Sequence, residues 1–225
     1  MIFGPATALH EFRESDYVRF SVLALSSIFF LVDPFAAIGT FMAITAGEER
    51  KSRARTARKG ALTCFIVLTG FALVGKLIFR MFGITLPAFE IAGGLILLLI
   101  GIDMLEAKRS PTQESSGETE EAAEKEDAGI VPLGIPMLSG PGAISSVMVL
   151  VGQARKLWEW IAILGSIAIT AWVSYWVLVG ADRIRRVMGD TGIRILVRIM
   201  GLLLVALAVQ FFVNGLMDLG VIARP

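Results

Sequence analysis

Phe20–Ala46 reads FSVLALSSIFFLVDPFAAIGTFMAITA, an apolar run whose one charge, Asp33, stands beside its one proline, Pro34, at the centre. A membrane-spanning helix needs about 20 apolar residues, so the run is long enough to cross a bilayer. Proline removes a backbone donor and clashes with the preceding turn, which breaks a helix interior, yet it is favoured as the first residue of a helix. Aspartate is a strong N-cap. Asp33-Pro34 therefore predicts the end of one half-helix and the N-cap and first residue of another.

The rest of the chain is of the same kind. Its 225 residues are 55% hydrophobic and only 18% charged, against about 25% charged in soluble domains. Five further spans are predicted at Gly60–Phe79, Ile84–Leu105, Ile130–Gln153, Trp160–Gly180 and Ile193–Met217. Runs of this length without period-two alternation satisfy their backbones as helices rather than barrel strands. The expectation is an all-α integral membrane protein. The hydrophobicity excludes intrinsic disorder, and the single cysteine, Cys64, excludes a disulfide scaffold. A net charge of +1 offers no field for nucleic acid. The amino terminus lacks the pattern of a cleaved signal. No His/Cys cluster has metal-ligand spacing, His10 reads as a surface residue, and no nucleophile–base pair or phosphate loop is present, so neither an enzyme nor a cofactor is expected.

Lys and Arg set the expected orientation, because cytoplasmic loops retain them. Fourteen of the 21 fall after span one (Arg50 to Lys59), after span three (Lys108, Arg109, Lys125) and around the start of span six (Arg183 to Arg198). Both termini are then expected outside the cytoplasm. Ser110–Asp127 carries seven acids among Ser, Thr, Gly and Pro, too little apolar surface to order itself. The predicted organisation is a first three-helix unit over 1–109, an acidic flexible cytoplasmic linker over 110–129 and a second three-helix unit over 130–225.

The two units share landmarks. Pro34 and Pro141 are 107 residues apart, as are Gly94 and Gly201, and Asp103 and Gln210; Leu73-Val74-Gly75 recurs at Leu178-Val179-Gly180. With three helices per unit the second copy enters from the opposite face, so the expectation is an inverted repeat. Ser139-Gly140-Pro141-Gly142 is the second break, with Pro136 as a further kink in its approach. At 1.5 Å per residue both breaks fall about halfway through a ~30 Å hydrocarbon core. The plain structural alternative is a pair of kinks tolerated by neighbouring helices. Paired discontinuous helices at the midplane point instead to a transporter site, where freed amides favour an anion.

A carboxylate at that depth is costly and should face a cavity or partner. Asp33 is expected to bind a substrate ammonium, to carry a proton, or only to cap the following half-helix. Glu90, near the outer end of span three, is expected to snorkel to the interface, and Asp103 to sit near the cytoplasmic end. Gln210 and Asn214 are candidates for cavity lining or interhelical hydrogen bonds. Ser139, Ser145, Ser146, Thr40 and Thr45 place small hydroxyls near the breaks, and Ala36, Ala37 and Gly39 leave room for a small substrate. Cys64 reads as a packing residue.

Asp33-Pro34-Phe35-Ala36-Ala37-Ile38-Gly39-Thr40-Phe41 resembles the N-P-x-G-x-x-P-x-F motif of the MarC family, in which Asp also occurs first. Pro136-Met137-Leu138-Ser139-Gly140-Pro141-Gly142-Ala143-Ile144 resembles its P-L-x-x-G-P-G-x-x motif, and Ile91-Ala92-Gly93-Gly94 its third-helix signature. Ala36, Gly39 and Met137 depart from those motifs. The resemblance implies a six-helix inner-membrane protein. Its SnatA branch implies transport of small neutral amino acids such as glycine and alanine, driven by a cation gradient. By the same resemblance the binding region lies at Asp33, Pro34, Gly39, Thr40, Ser139, Gly140, Pro141 and Gly142, with Ser145 added from its place beside the second break.

The function expected is therefore a secondary transporter in the cytoplasmic membrane, with a small neutral amino acid and a proton as partners and Asp33 as the coupling residue. An exporter of other metabolites or drugs, and a non-transporting scaffold that uses the acidic linker, are the alternatives. Direction, coupling ion and assembly into a homo-oligomer are left open by the sequence.

Overall fold

The computed structural model describes residues 5–106 and 128–223; nearly all of the acidic linker lies outside the described residues. The protein is all-helical. Its elements are α1 (Pro5–Val32), α2 (Ala37–Ile44), α3 (Arg50–Phe82), α4 (Leu86–Leu105), α5 (Gly129–Leu138), α6 (Pro141–Gln153), α7 (Leu157–Val179) and α8 (Ala181–Asp218). Four segments are long and apolar enough to cross a membrane: α3, α4, α7 and the Thr191–Asp218 part of α8. The α1–α2 pair, from Asp16 on, bends by 45° and the α5–α6 pair by 57°, and each pair passes the same test jointly, which brings the number to six if each is one span.

The first bend follows from Asp33-Pro34. Asp33 N–H donates to Phe29 O (3.1 Å), the last regular bond of α1. Asp33 itself takes φ +42°, the left-handed region that aspartate tolerates better than most residues, and Pro34 has no N–H with which to continue the ladder. The new helix begins later than expected. Pro34 to Ala36 form a turn, and the regular bonds of α2 start at Ala37. Asp33 still caps in effect, because Ala36 N–H donates to its Oδ1 at 3.2 Å.

The second bend has a different chemistry. α5 is irregular: Val131 and Ile135 are extended, each just before a proline in cis, Pro132 and Pro136. Gly140 is the N-cap of α6 and Pro141 its first residue. Ser139 does not cap this helix; its Oγ donates backwards to Gly134 O at 2.6 Å. A Cβ on Gly140 would lie 2.7 Å from Pro136 O, so the chain closes there only with glycine.

The remaining ends are conventional. α3 starts in the basic stretch read as a loop, because Arg, Lys and Ala are good helix formers and nothing after Glu49 interrupts them; it stops at Gly83, φ +66°. Thr85 Oγ1 accepts from Ala88 N–H to start α4. Glu159 Oε2 accepts from the amides of Arg155 and Lys156 at the start of α7. In α8 the helical path breaks once, at Gly189 (φ +65°).

Packing is exchanged between the two halves. α1 packs on α7, and α3 packs on α5. The most extensive contact is α4 on α8, made over glycines. A Cβ on Gly94 would stand 2.9 Å from Ala208 O, and one on Gly201 would stand 2.9 Å from Gly101 O. Small residues of this kind let helix backbones approach in a membrane, where dispersion packing rather than water expulsion holds helices together. The buried core runs through Ile28, Phe41, Leu68, Leu97, Leu138, Met148, Ile163 and Ile167, while Leu62 and Ile66 on α3 and Trp172 and Trp176 on α7 are exposed.

Gly94→Val is expected to wedge α4 from α8 and to cost about 1–3 kcal/mol, as overpacking typically does. Gly39, by contrast, has open space around a would-be Cβ, so Gly39→Ala should be neutral or slightly stabilising. Thermal unfolding of the two variants in detergent micelles checks the contrast; equal midpoints would show that the glycine contact does not hold α4 to α8.

Candidate site between the two helix breaks

Both breaks open onto one cavity. Its wall comprises Leu31, Val32, Asp33, Ala36 and Ala37 at the first break, and Met137, Gly140 and Gly142 at the second. Leu97, Ile100 and Met104 of α4 and Leu204 of α8 complete it. The chain thus carries two sequence-distant interruptions to the same place, which is the geometry that satisfies loose backbone inside hydrocarbon.

Asp33 supplies the charge. It is 6% exposed. One carboxylate oxygen is held by Ala36 N–H; the other, Oδ2, is buried without a hydrogen-bond partner. A buried acceptor left so costs about 1–3 kcal/mol, and more when charged, which a bound cationic group would recover. Across the cavity lies the N-terminus of α6. Gly140 has no side chain with which to cap it, and the first amides of a helix have no partners within it. Gly142 follows because its position has no room for more: a Cβ would collide with Leu97 Cδ2.

The cavity is nearly shut. Its volume is about 10 Å³, close to what one water requires. Nothing larger than a water molecule would enter without movement. Met104 and Met137 are the flexible members of the wall, since methionine has three soft torsions and adapts to irregular space.

The structure places the sequence-predicted residues unequally. Asp33, Gly140 and Gly142 line the cavity, and Pro34 and Pro141 stand in the breaks themselves. Thr40 is buried on α2 beyond the cavity wall. Ser139 spends its hydroxyl on Gly134. Gly39 is exposed on α2, and Ser145 sits in the α4–α6 seam, where its Oγ would be 2.6 Å from a Cβ on Gly93. Leu97, Ile100, Met104 and Leu204 were not among the expected residues. Two polar expectations change. Glu90 does not snorkel: it is 1% exposed and neither carboxylate oxygen has a partner, because α4 turns that face onto its neighbours. Gln210 Nε2 donates to Asn214 Oδ1 at 2.8 Å, one turn along the same helix and in exposed surroundings, rather than to another helix.

A chain-wide comparison agrees with this architecture. Residues 18–219 match the model of the MarC family integral membrane proteins. The chain belongs to the MarC family. A UPF0056 membrane protein of Methanocaldococcus jannaschii is 37% identical over 199 residues, covering 88% of this chain and 97% of that protein. The UPF0056 membrane protein YhcE of Escherichia coli is 33% identical over 189 residues, covering 84% and 88% respectively. YvbG of Bacillus subtilis is 32% identical over 198 residues. No solved structure matches the chain. This MarC family member is thus an integral, multi-pass membrane protein.

At Asp33, two demands separate by substitution. Asn keeps an oxygen for Ala36 N–H and tolerates a positive φ, whereas Ala does neither. Both variants remove the buried charge, so Asp33→Ala is expected to be about 1 kcal/mol less stable than Asp33→Asn, the usual cost of a missing cap. Denaturant titration of the detergent-solubilised variants measures the difference; equal stabilities would show that the cap contributes nothing.

Proposed function

We propose that this protein is a secondary transporter of small neutral amino acids, glycine and alanine among them, that moves its substrate across the cytoplasmic membrane with a proton. The observation that carries the reading is the single cavity walled by both helix breaks, with a buried carboxylate oxygen lacking a partner on one side and an uncapped helix N-terminus on the other. A zwitterion offers the complementary charges: its ammonium to Asp33, its carboxylate to the amides around Gly142. Glycine and alanine suit the wall because, Asp33 apart, it is built from apolar residues and glycines. The proton also belongs at Asp33, which needs a cationic partner whenever the substrate is gone. Neither a cofactor nor enzyme chemistry has a place in this reading.

The rest of the reading is topological. Each half consists of a broken helix pair followed by two long helices, and we take these as inverted repeats that cross the membrane six times, with both termini outside the cytoplasm. The glycine contacts support it. Adding 107 to Gly94 gives Gly201, and adding 107 to Gly101 gives Ala208, so the contact of Gly94 with Ala208 and that of Gly201 with Gly101 are exchanged by one operation. A two-fold axis between α4 and α8 does this. Rocking of one half against the other about the shared cavity would alternate access to it.

Uptake of glycine and alanine into proteoliposomes, with and without an imposed pH gradient, tests the proposal. Accumulation driven by the gradient is expected, and a folded protein that binds neither amino acid overturns the substrate assignment. Asp33→Asn should weaken binding by about tenfold or more, the value of one charge-assisted hydrogen bond of ~1.5–3 kcal/mol, and should flatten the pH dependence of flux. Gly142→Val should abolish binding while the protein still elutes as a folded species, because the added methyls occupy the helix end beside Leu97.

A further inference from the structure

Glu90 is a second acid with no stated task. It lies in the second turn of α4, 1% exposed, with Oε1 and Oε2 both buried and unpartnered. An isolated carboxylate is costly to keep charged in such surroundings and takes a partner or a proton instead, so the position calls for a cation.

Its neighbours say which cation. α4 runs between α6 and α8: Leu86 meets Gly152, Gly93 meets Ser145 and Leu97 meets Gly142 on α6, while Ile91 and Pro87 meet Gly215 on α8. α6 carries no charged residue at all, and the Gly201–Asp218 part of α8 carries only Asp218, an acid that bears electrostatically on Glu90. α3 approaches the start of α4 through the Phe79–Phe89 ring contact, centroids 4.6 Å apart. Its cations there, Lys76 and Arg80, are exposed, and Lys76 Nζ lies 5.6 Å from the centroid of the Trp160 ring. No basic side chain among these is placed against Glu90. A metal ion would need several oxygen or nitrogen ligands, and among the described residues no group of three or more His, Cys, Asp or Glu could hold one. A proton is what remains.

The position also has a direction. Glu90 and Leu97 share a face of α4 two turns apart, about 10 Å at 1.5 Å per residue. Between them sits Gly93, against which the Ser145 hydroxyl packs. Beyond them Leu97 and Gly142 line the cavity of Asp33. The order along the α4–α6 seam is therefore acid, hydroxyl, glycine-lined cavity, acid.

From this juxtaposition we infer that Glu90 is a proton-carrying residue that exchanges its proton with Asp33 along the α4–α6 seam. The step balances simply: the Glu90 carboxyl becomes a carboxylate as it gives up H⁺, and the Asp33 carboxylate becomes a carboxyl as it receives it. The purpose of the exchange, coupling, rests on the transporter reading above.

Two measurements on the full-length protein in proteoliposomes test it. In the first, Glu90→Gln should retain glycine counterflow, which needs no net proton movement, and lose the response of uptake to an imposed pH gradient; Glu90→Asp should restore part of that response. Gradient-driven uptake by Glu90→Gln equal to that of the wild type overturns the inference. In the second, infrared difference spectra should show a protonated-carboxyl C=O band that is missing in Glu90→Gln and that fades as bulk pH is raised. A Glu90 band that ignores bulk pH overturns the inference even if the wild type transports nothing. A titrating band together with absent amino-acid uptake would uphold Glu90 as a proton site while removing the transport reading.

Discussion

A helix interrupted inside hydrocarbon leaves amides and carbonyls that lipid cannot satisfy, and this constraint organises the molecule. Each interruption must be turned inward, and the least costly arrangement turns both toward the same place. Asp33 caps the first with its own carboxylate; Ser139 and Gly140 close the second through Gly134 and a glycine that fits under Pro136 O. The surrounding helices then serve as walls: α4 and α8 close the cavity through Leu97 and Leu204, and α3 and α7 each brace the broken pair of the other half.

The apolar runs and the two break points were legible in the sequence because they depend on local chemistry. Proline and glycine disrupt a helix wherever they stand, and a stretch without charges needs no partner to announce itself. Membership of the MarC family was legible for the same reason, since its motifs coincide with the breaks. What local chemistry does not record is rotation. Whether Glu90 looks to lipid, headgroups or protein depends on how α4 is turned against α6 and α8, and that is set by Gly93, Gly94 and Gly101 meeting residues more than fifty positions away. The same holds for Gly39, which sits in a motif yet lies on the exposed face of α2, and for Leu97 and Leu204, whose leucine side chains carry no mark of lining a site.

Charge is distributed by the same logic. Arg53 pairs with Asp182 at 2.6 Å and lies 5.6 Å from the centroid of the Phe41 ring, so the ends of α2, α3 and α8 are tied together where the chain is most basic. Cys64, which is buried on α3, carries no such duty and fills space. Asp33 and Glu90 stand apart from these groups: both are enclosed, and both keep at least one oxygen that the protein itself does not answer.

The cavity between the breaks shrinks to about the room of one water, and this bears on the membrane as much as on the site. A wide empty chamber between two interrupted helices would fill with water, along which ions and protons could slip. A chamber closed by Leu97 and the methionines offers no such column, so a membrane carrying the protein in this form would keep its voltage.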